Sequence, residues 1–137
     1  MLLFYRFYRW LYLRRVPVVP TICKYVNRIV FSIVLPPSAQ VGRNVRFGYG
    51  GLGIVVHANA VIGDNVVISP NVVIGGRSKL REVPVIEDDV QIGAGACILG
   101  PVRIGRGAKV GANAVVLEDI PPGSIAVGVP ARVIRQG

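Results

Sequence analysis

The chain is 137 residues long, carries 16 basic against 7 acidic side chains for a net charge of +9, and has two cysteines and one histidine. That length supports one hydrophobic core and not two. Cys23 and Cys97 form no CxxC pair and no histidine cluster accompanies them, which removes disulfide frameworks and zinc sites and points to a reducing, cytoplasmic setting.

Residues 1–37 open with MLLFYRFYRWLYLRRV. Arginine interrupts its apolar stretch and no small-residue cleavage site follows, so neither a secretory leader nor a membrane span is predicted. A short helical, basic and aromatic segment is expected here. Arg6, Arg9, Arg14, Arg15, Lys24, Arg28, Arg43 and Arg46 all precede the first acidic residue, Asp64. Interleaved with Phe4, Tyr5, Phe7, Tyr8, Trp10 and Tyr12, they suit peripheral contact with an anionic membrane; nucleic acid has less to support it. The plainer alternative is a helical cap that packs its aromatic face on the domain and keeps its arginines in water.

From Val56 the sequence divides into sixes: VHANAV, IGDNVV, ISPNVV, IGGRSK, LREVPV, IEDDVQ, IGAGAC, ILGPVR, IGRGAK, VGANAV, VLEDIP. All eleven blocks start with Ile, Leu or Val, and the fifth position is small or β-branched in most of them. Neither a 3.6 nor a 2.0 period yields this pattern. A solenoid of short strands does, with each first residue pointing inward to stack on its equivalent three blocks later. Gly63, Gly75, Gly93, Gly105 and Gly111, with Asn65, Asn71 and Asn113, are expected at turns of unusual backbone angle. Asp64, Asp88 and Asp89 fit as turn residues.

Gly48, Gly50 and Gly53 match GxGxxG, but β-branched residues follow where a helix would be needed to hold a pyrophosphate. GGRSK likewise has its basic residue on the wrong side of its serine for a Walker loop. No nucleotide loop remains.

The hexads resemble the left-handed parallel β-helix acyltransferases. FGYGGLGIVVHANAVIGDNVVI, VPVIEDDVQIGAGACILGPVRIG and above all the closing AVGVPARVI look like the serine O-acetyltransferase branch, in a short form with only about forty residues ahead of the coils. The resemblance implies an all-β fold, a left-handed parallel β-helix over 38–137 preceded by the helical segment 1–37. It implies a homotrimer that transfers acetyl from acetyl-CoA to the hydroxyl of L-serine, as in cysteine biosynthesis, or of a sugar in polysaccharide synthesis. No metal is implied.

In the resembling enzymes a histidine at the first bend is the general base. Matched to the short members, FGYGGLGIV places Tyr49 at that position; matched to the longer enzymes, with one residue fewer, it places Gly50 there, and their second active-site histidine falls near Val83. A phenol is protonated at neutral pH and makes a poor base, though its hydroxyl can orient or relay. His57 is the only imidazole, and so the other catalytic candidate; a plain surface-turn histidine is the alternative. The cofactor groove of the family maps onto Gly75, Gly76, Ala94, Gly95, Ala96, Gly111 and Ala112, with Lys109 and Arg132 placed to meet phosphates. The missing histidines leave a second outcome open: a catalytically impaired trimer that serves as a binding or structural protein.

Overall fold

The computed structural model describes residues 1–136. Two helices, α1 (Leu2–Leu13) and α2 (Val19–Phe31), precede a left-handed parallel β-helix of about four coils. Its short strands form three faces of a prism. Val61–Ile62 pairs in parallel with Val85–Ile86 on the first face, Val67–Ile68 with Gln91–Ile92 on the second, and Val73–Gly75 with Cys97–Leu99 on the third.

The hexad column explains the core. Ile62, Ile68, Ile74, Ile86, Ile92, Ile98 and Ile104 are at most 2% exposed and stack on one another through the coils. Burying each such side chain stabilises by about 1.5–3 kcal/mol. The fifth-position residues Ala60, Val66, Val72, Val90, Ala96, Ala108 and Ala114 are fully buried at the corners.

Where hexads run unbroken the coil is eighteen residues long, as in the pairings of Val85 with Arg103, Gln91 with Lys109 and Cys97 with Val115. Two excursions lengthen that period, and the last coil is two residues shorter, Lys109 pairing with Ile125. Gln40 pairs with Val61, three residues more than one coil, and Val61 pairs with Val85, six more. The second excursion corrects the hexad count: Leu80 begins a block in sequence, yet it lies in an outward loop and is 46% exposed. An aliphatic residue in the right place is not bound to point inward when a whole block can leave the coil without disturbing the register of its neighbours.

The corner glycines also act differently from the expectation. None of Gly63, Gly75, Gly93, Gly105 and Gly111 takes positive φ; the expected left-handed backbone is found at Asn65, Asn71 and Asn113, and also at Gly95 and Gly107. What Gly93 provides is room, because a Cβ there would stand 2.6 Å from the Ala112 nitrogen of the next coil. Asp64 and Asp88 behave as turn residues, accepting the backbone N–H of Arg43 and of Asp64 respectively, each at 2.7 Å.

The first coil would expose an open rim of backbone carbonyls, and α1 covers it. The Tyr5 hydroxyl donates to the Ala39 carbonyl, Tyr8 donates to Leu35 at 2.6 Å, Arg6 to Gly42 at 2.6 Å, and Arg9 to Pro37 and Ala39 at 2.7 Å. This modifies the expected cap in two respects. Arg6 and Arg9 are bound to the coil and not simply solvated, because the rim lacks donors that they can supply. Of the aromatic residues only Tyr5 and Tyr8 turn fully inward, while Phe7 and Trp10 face water. At the other end the chain reverses after Ile125–Val127, and Arg132–Arg135 pairs antiparallel with it.

Tyr8 also receives a hydrogen bond from buried Asn27 of α2 at 3.2 Å. Tyr8→Phe therefore leaves the Leu35 carbonyl and the Asn27 amide without their partner, an expected loss of about 1–3 kcal/mol in urea unfolding. Burial pushes the phenols of both Tyr5 and Tyr8 above the ordinary tyrosine value, against smaller lowering effects of Arg9 on Tyr5 and of Asn27 on Tyr8. The folded chain thus holds protons that the unfolded chain releases near pH 10. Stability is expected to be complete below that pH and to fall above it, and the alkaline loss should be smaller in Tyr8→Phe.

Candidate functional site

The three corners of the prism are chemically distinct. The corner between the second and third faces carries the bend 48–54 and, in the coils above it, Pro70–Asn71, Ala94–Gly95 and Ala112–Asn113. This is the glycine corner. The corner between the third and first faces carries His57, then Gly76 and the excursion that ends at Pro84, then Gly100 and Leu117; it is the histidine corner.

The bend accounts for the first, three-residue excursion. Gly51 takes φ +90°, and a Cβ there would stand 2.8 Å from Ile33 Cδ1, so the chain turns tightly against the end of the helical segment. Tyr49 is held at φ 50°, in the left-handed region, and is 87% exposed. No helix follows Gly53, which agrees with setting the dinucleotide fingerprint aside.

His57 is half-buried. Its Nδ1 accepts the backbone N–H of Asn59 at 3.1 Å. A neutral imidazole whose Nδ1 accepts must carry its proton on Nε2, so the nitrogen left free is a donor and not a base. Nε2 faces Gly76, where an added Cβ would stand 4.0 Å from it, and Val83 packs on the same glycine. Arg77 was not singled out in the sequence. Its side chain lies across Gly100, whose φ of +83° and missing Cβ make the space, and it reaches the Leu117 carbonyl at 3.5 Å. The signal for it was GGR at the point where the hexads break.

Tyr49 and His57 therefore stand at different corners of one chain, and the cofactor candidates divide with them. Ala94, Gly95, Gly111 and Ala112 line the glycine corner. Lys109 adjoins Gly111 and Ala112 in a groove of about 320 Å³ on the second face, together with Ser69, Gln91 and Gly93. Lys109 has no acidic partner within salt-bridge distance among the described residues. Gly75 ends the third-face strand beside the histidine corner, and Gly76 lies in that corner. Two candidates do not sit as expected. Ala96 is fully buried, with its N–H on the Gly93 carbonyl and its own carbonyl on Val73, so it shapes the corner from within. Arg132 pairs with Glu118 at 3.8 Å.

Comparison with known proteins agrees with this architecture. Residues 84–118 match the family model described as bacterial transferase hexapeptide (six repeats). The serine acetyltransferase of Synechococcus elongatus is 35% identical over 132 residues, covering 95% of this chain and 54% of its own. Soybean serine acetyltransferase complexed with serine superposes with a TM-score of 0.90 at 41% identity, over 96% of this chain and 54% of that one. Serine acetyltransferase from Brucella abortus in complex with coenzyme A gives 0.94 at 33% identity, over 99% and 55%. The chain carries the bacterial transferase hexapeptide repeat over residues 84–118. Over nearly its whole length it is similar to serine acetyltransferases, and it spans about half the length of the relatives it matches.

Proposed function

We propose that the protein is an acetyl-CoA-dependent O-acetyltransferase of the serine acetyltransferase type, acting as a cytoplasmic homotrimer on a hydroxyl acceptor. The observation that carries this reading is the likeness over nearly the whole chain to structures solved with coenzyme A and with serine. L-serine is the first acceptor to expect, and a sugar hydroxyl the second.

The trimer has support in the third face. Its outward residues Val55, Val73, Cys97 and Val115 form one apolar column in register, with Leu99 beside it. The outer columns of the other faces instead include Gln40 and Arg103, or Arg46, Gln91 and Lys109. A closed ring built on the third face sets the glycine corner of one protomer against the histidine corner of the next. Tyr49 and the groove with Lys109 then meet His57, Gly76 and Arg77 across the boundary, where one chain alone keeps them apart.

At such a site the acceptor hydroxyl oxygen bonds to the thioester carbonyl carbon as the carbon–sulfur bond breaks, and the hydroxyl proton ends on the departing thiol. The Tyr49 hydroxyl orients the acceptor, and His57 Nε2–H donates to the carbonyl oxygen on which negative charge develops. Lys109 offers a cation to phosphate. Positioning and this donor remain; a strong base does not.

That last point favours a second reading on one observation: the Nδ1 of the only histidine is already engaged by Asn59. A scaffold with this arrangement would bind coenzyme A without turning over. Thiol release from acetyl-CoA, followed with L-serine and with a panel of sugars, decides between them. Release that depends on one acceptor supports the transferase and names its substrate class. Coenzyme A binding by an intact trimer with no release for any acceptor supports the impaired protein.

A further inference from the structure

The helical segment presents apolar surface that the cap does not use. On α1, Leu3, Phe7 and Trp10 recur at helical spacing and are 85%, 54% and 51% exposed. On α2, Ile22, Val26 and Ile29 do the same, with Val19, Tyr25 and Val30 beside them, and Ile29 is 81% exposed. Both stripes lie roughly opposite the residues that hold each helix to the domain, Tyr5 and Tyr8 on α1 and Pro20 and Asn27 on α2. Because Tyr5, Arg6, Tyr8 and Arg9 are tied to coil carbonyls, the helices cannot roll to bury these stripes without releasing the rim they cap.

Charge narrows the occupant. No acidic residue occurs before Asp64, while Arg14, Arg15 and Arg28 are exposed beside the stripes. Arg14 lies over the Trp10 ring at 4.9 Å and Lys24 over Tyr25 at 4.8 Å, which keeps cations at the edge of the apolar surface. A second copy seated there would oppose like charges. An apolar stripe bordered by cations with an aromatic residue at its edge fits the boundary between acyl chains and anionic headgroups. At 12 and 13 residues the helices are too short to cross a bilayer, so they would lie on it.

We propose that α1 and α2 form a docking surface for an anionic lipid bilayer. The surface continues to the bend at the glycine corner: Phe31, at the end of α2, packs against Gly50, and Tyr49 and Leu52 are exposed beside it. Docking therefore brings the bend close to the lipid. This inference does not depend on the acetyl-transfer reading, and its test needs no turnover.

Trp10 is the only tryptophan, so its emission reports the contact directly. With the full chain, vesicles of phosphatidylcholine containing phosphatidylserine are expected to shift that emission to the blue and to sediment the protein, and added salt should reverse both. Ile22→Ser with Ile29→Ser, at positions that face water in the folded chain, should weaken binding roughly a hundredfold. Arg15→Gln with Arg28→Gln should weaken it about thirtyfold. Absence of any shift, equal binding to pure phosphatidylcholine, or double variants that bind like the native chain would overturn the proposal. So would a native chain that ignores vesicles but self-associates through this face, seen as a loss of mass by light scattering in the isoleucine variant.

Discussion

Gly93→Val is expected to lower the thermal midpoint by about 10 °C, corresponding to roughly 3 kcal/mol for a chain of this size. The Cβ would fall 2.6 Å from the Ala112 nitrogen and 2.9 Å from the Gly111 carbonyl carbon, both backbone atoms of the coil above. Backbone locked into parallel pairing cannot step aside, so the coils must separate and weaken the ladders on two faces. Gly107 supplies the control. It sits at φ +73° with nothing within 4 Å of its would-be Cβ, so Gly107→Ala meets only the left-handed backbone penalty of about 1 kcal/mol. Gly107→Asn should be close to neutral, because Asn65 already holds positive φ in a coil below it at the same corner. Differential scanning calorimetry of the three variants checks the ranking; a Gly93→Val chain that melts with the native one would contradict the close approach of the coils.

Tyr49→His is expected to raise the rate of acetyl transfer about a hundredfold or more, the usual contribution of a positioned general base. Histidine tolerates left-handed backbone better than most side chains, so the substitution at φ 50° changes the chemistry of the bend with little strain. The gain should disappear below about pH 6.5 as the new imidazole takes up a proton. In the native chain, His57→Ala should reduce kcat by about a hundredfold through loss of the donor to the developing oxyanion, without removing a limb of the pH–rate profile, since the Asn59 N–H already occupies Nδ1. Steady-state kinetics across pH tests both. A His57→Ala variant that abolishes an acidic limb would show that His57 takes the proton after all. A Tyr49→His variant no faster than the native chain would put the base position elsewhere.

These expectations rest on features of unequal visibility. The aliphatic first positions and small fifth positions were legible in sequence because one chemical choice repeats at every coil, and stacking identical coils leaves few other ways to bury Ile62, Ile68 and Ile74. The closing AVGVPARVI placed the chain among the serine acetyltransferase-like proteins by resemblance, and the candidate bend followed from it. Asp64 and Asp88 as turn residues were readable for the same local reason.

What sequence could not supply is which residues leave the repeat and which groups meet. Leu80 satisfies the hexad column and still faces water, because an outward loop keeps the register while adding length. Gly63 and Gly93 look like turn residues, but their need is set by backbone of the next coil, eighteen or more residues away. Arg6 and Arg9 look like free charge until the carbonyl rim of the first coil is in place to bind them. Tyr49 and His57 are eight residues apart in the chain, and one short strand carries them to different corners of the prism. Periodicity and side-chain type are local properties and survive in the sequence; the corner a residue occupies, and the hydrogen bond that decides which nitrogen of His57 is free, depend on how many residues each turn inserts and exist only once the coils are stacked.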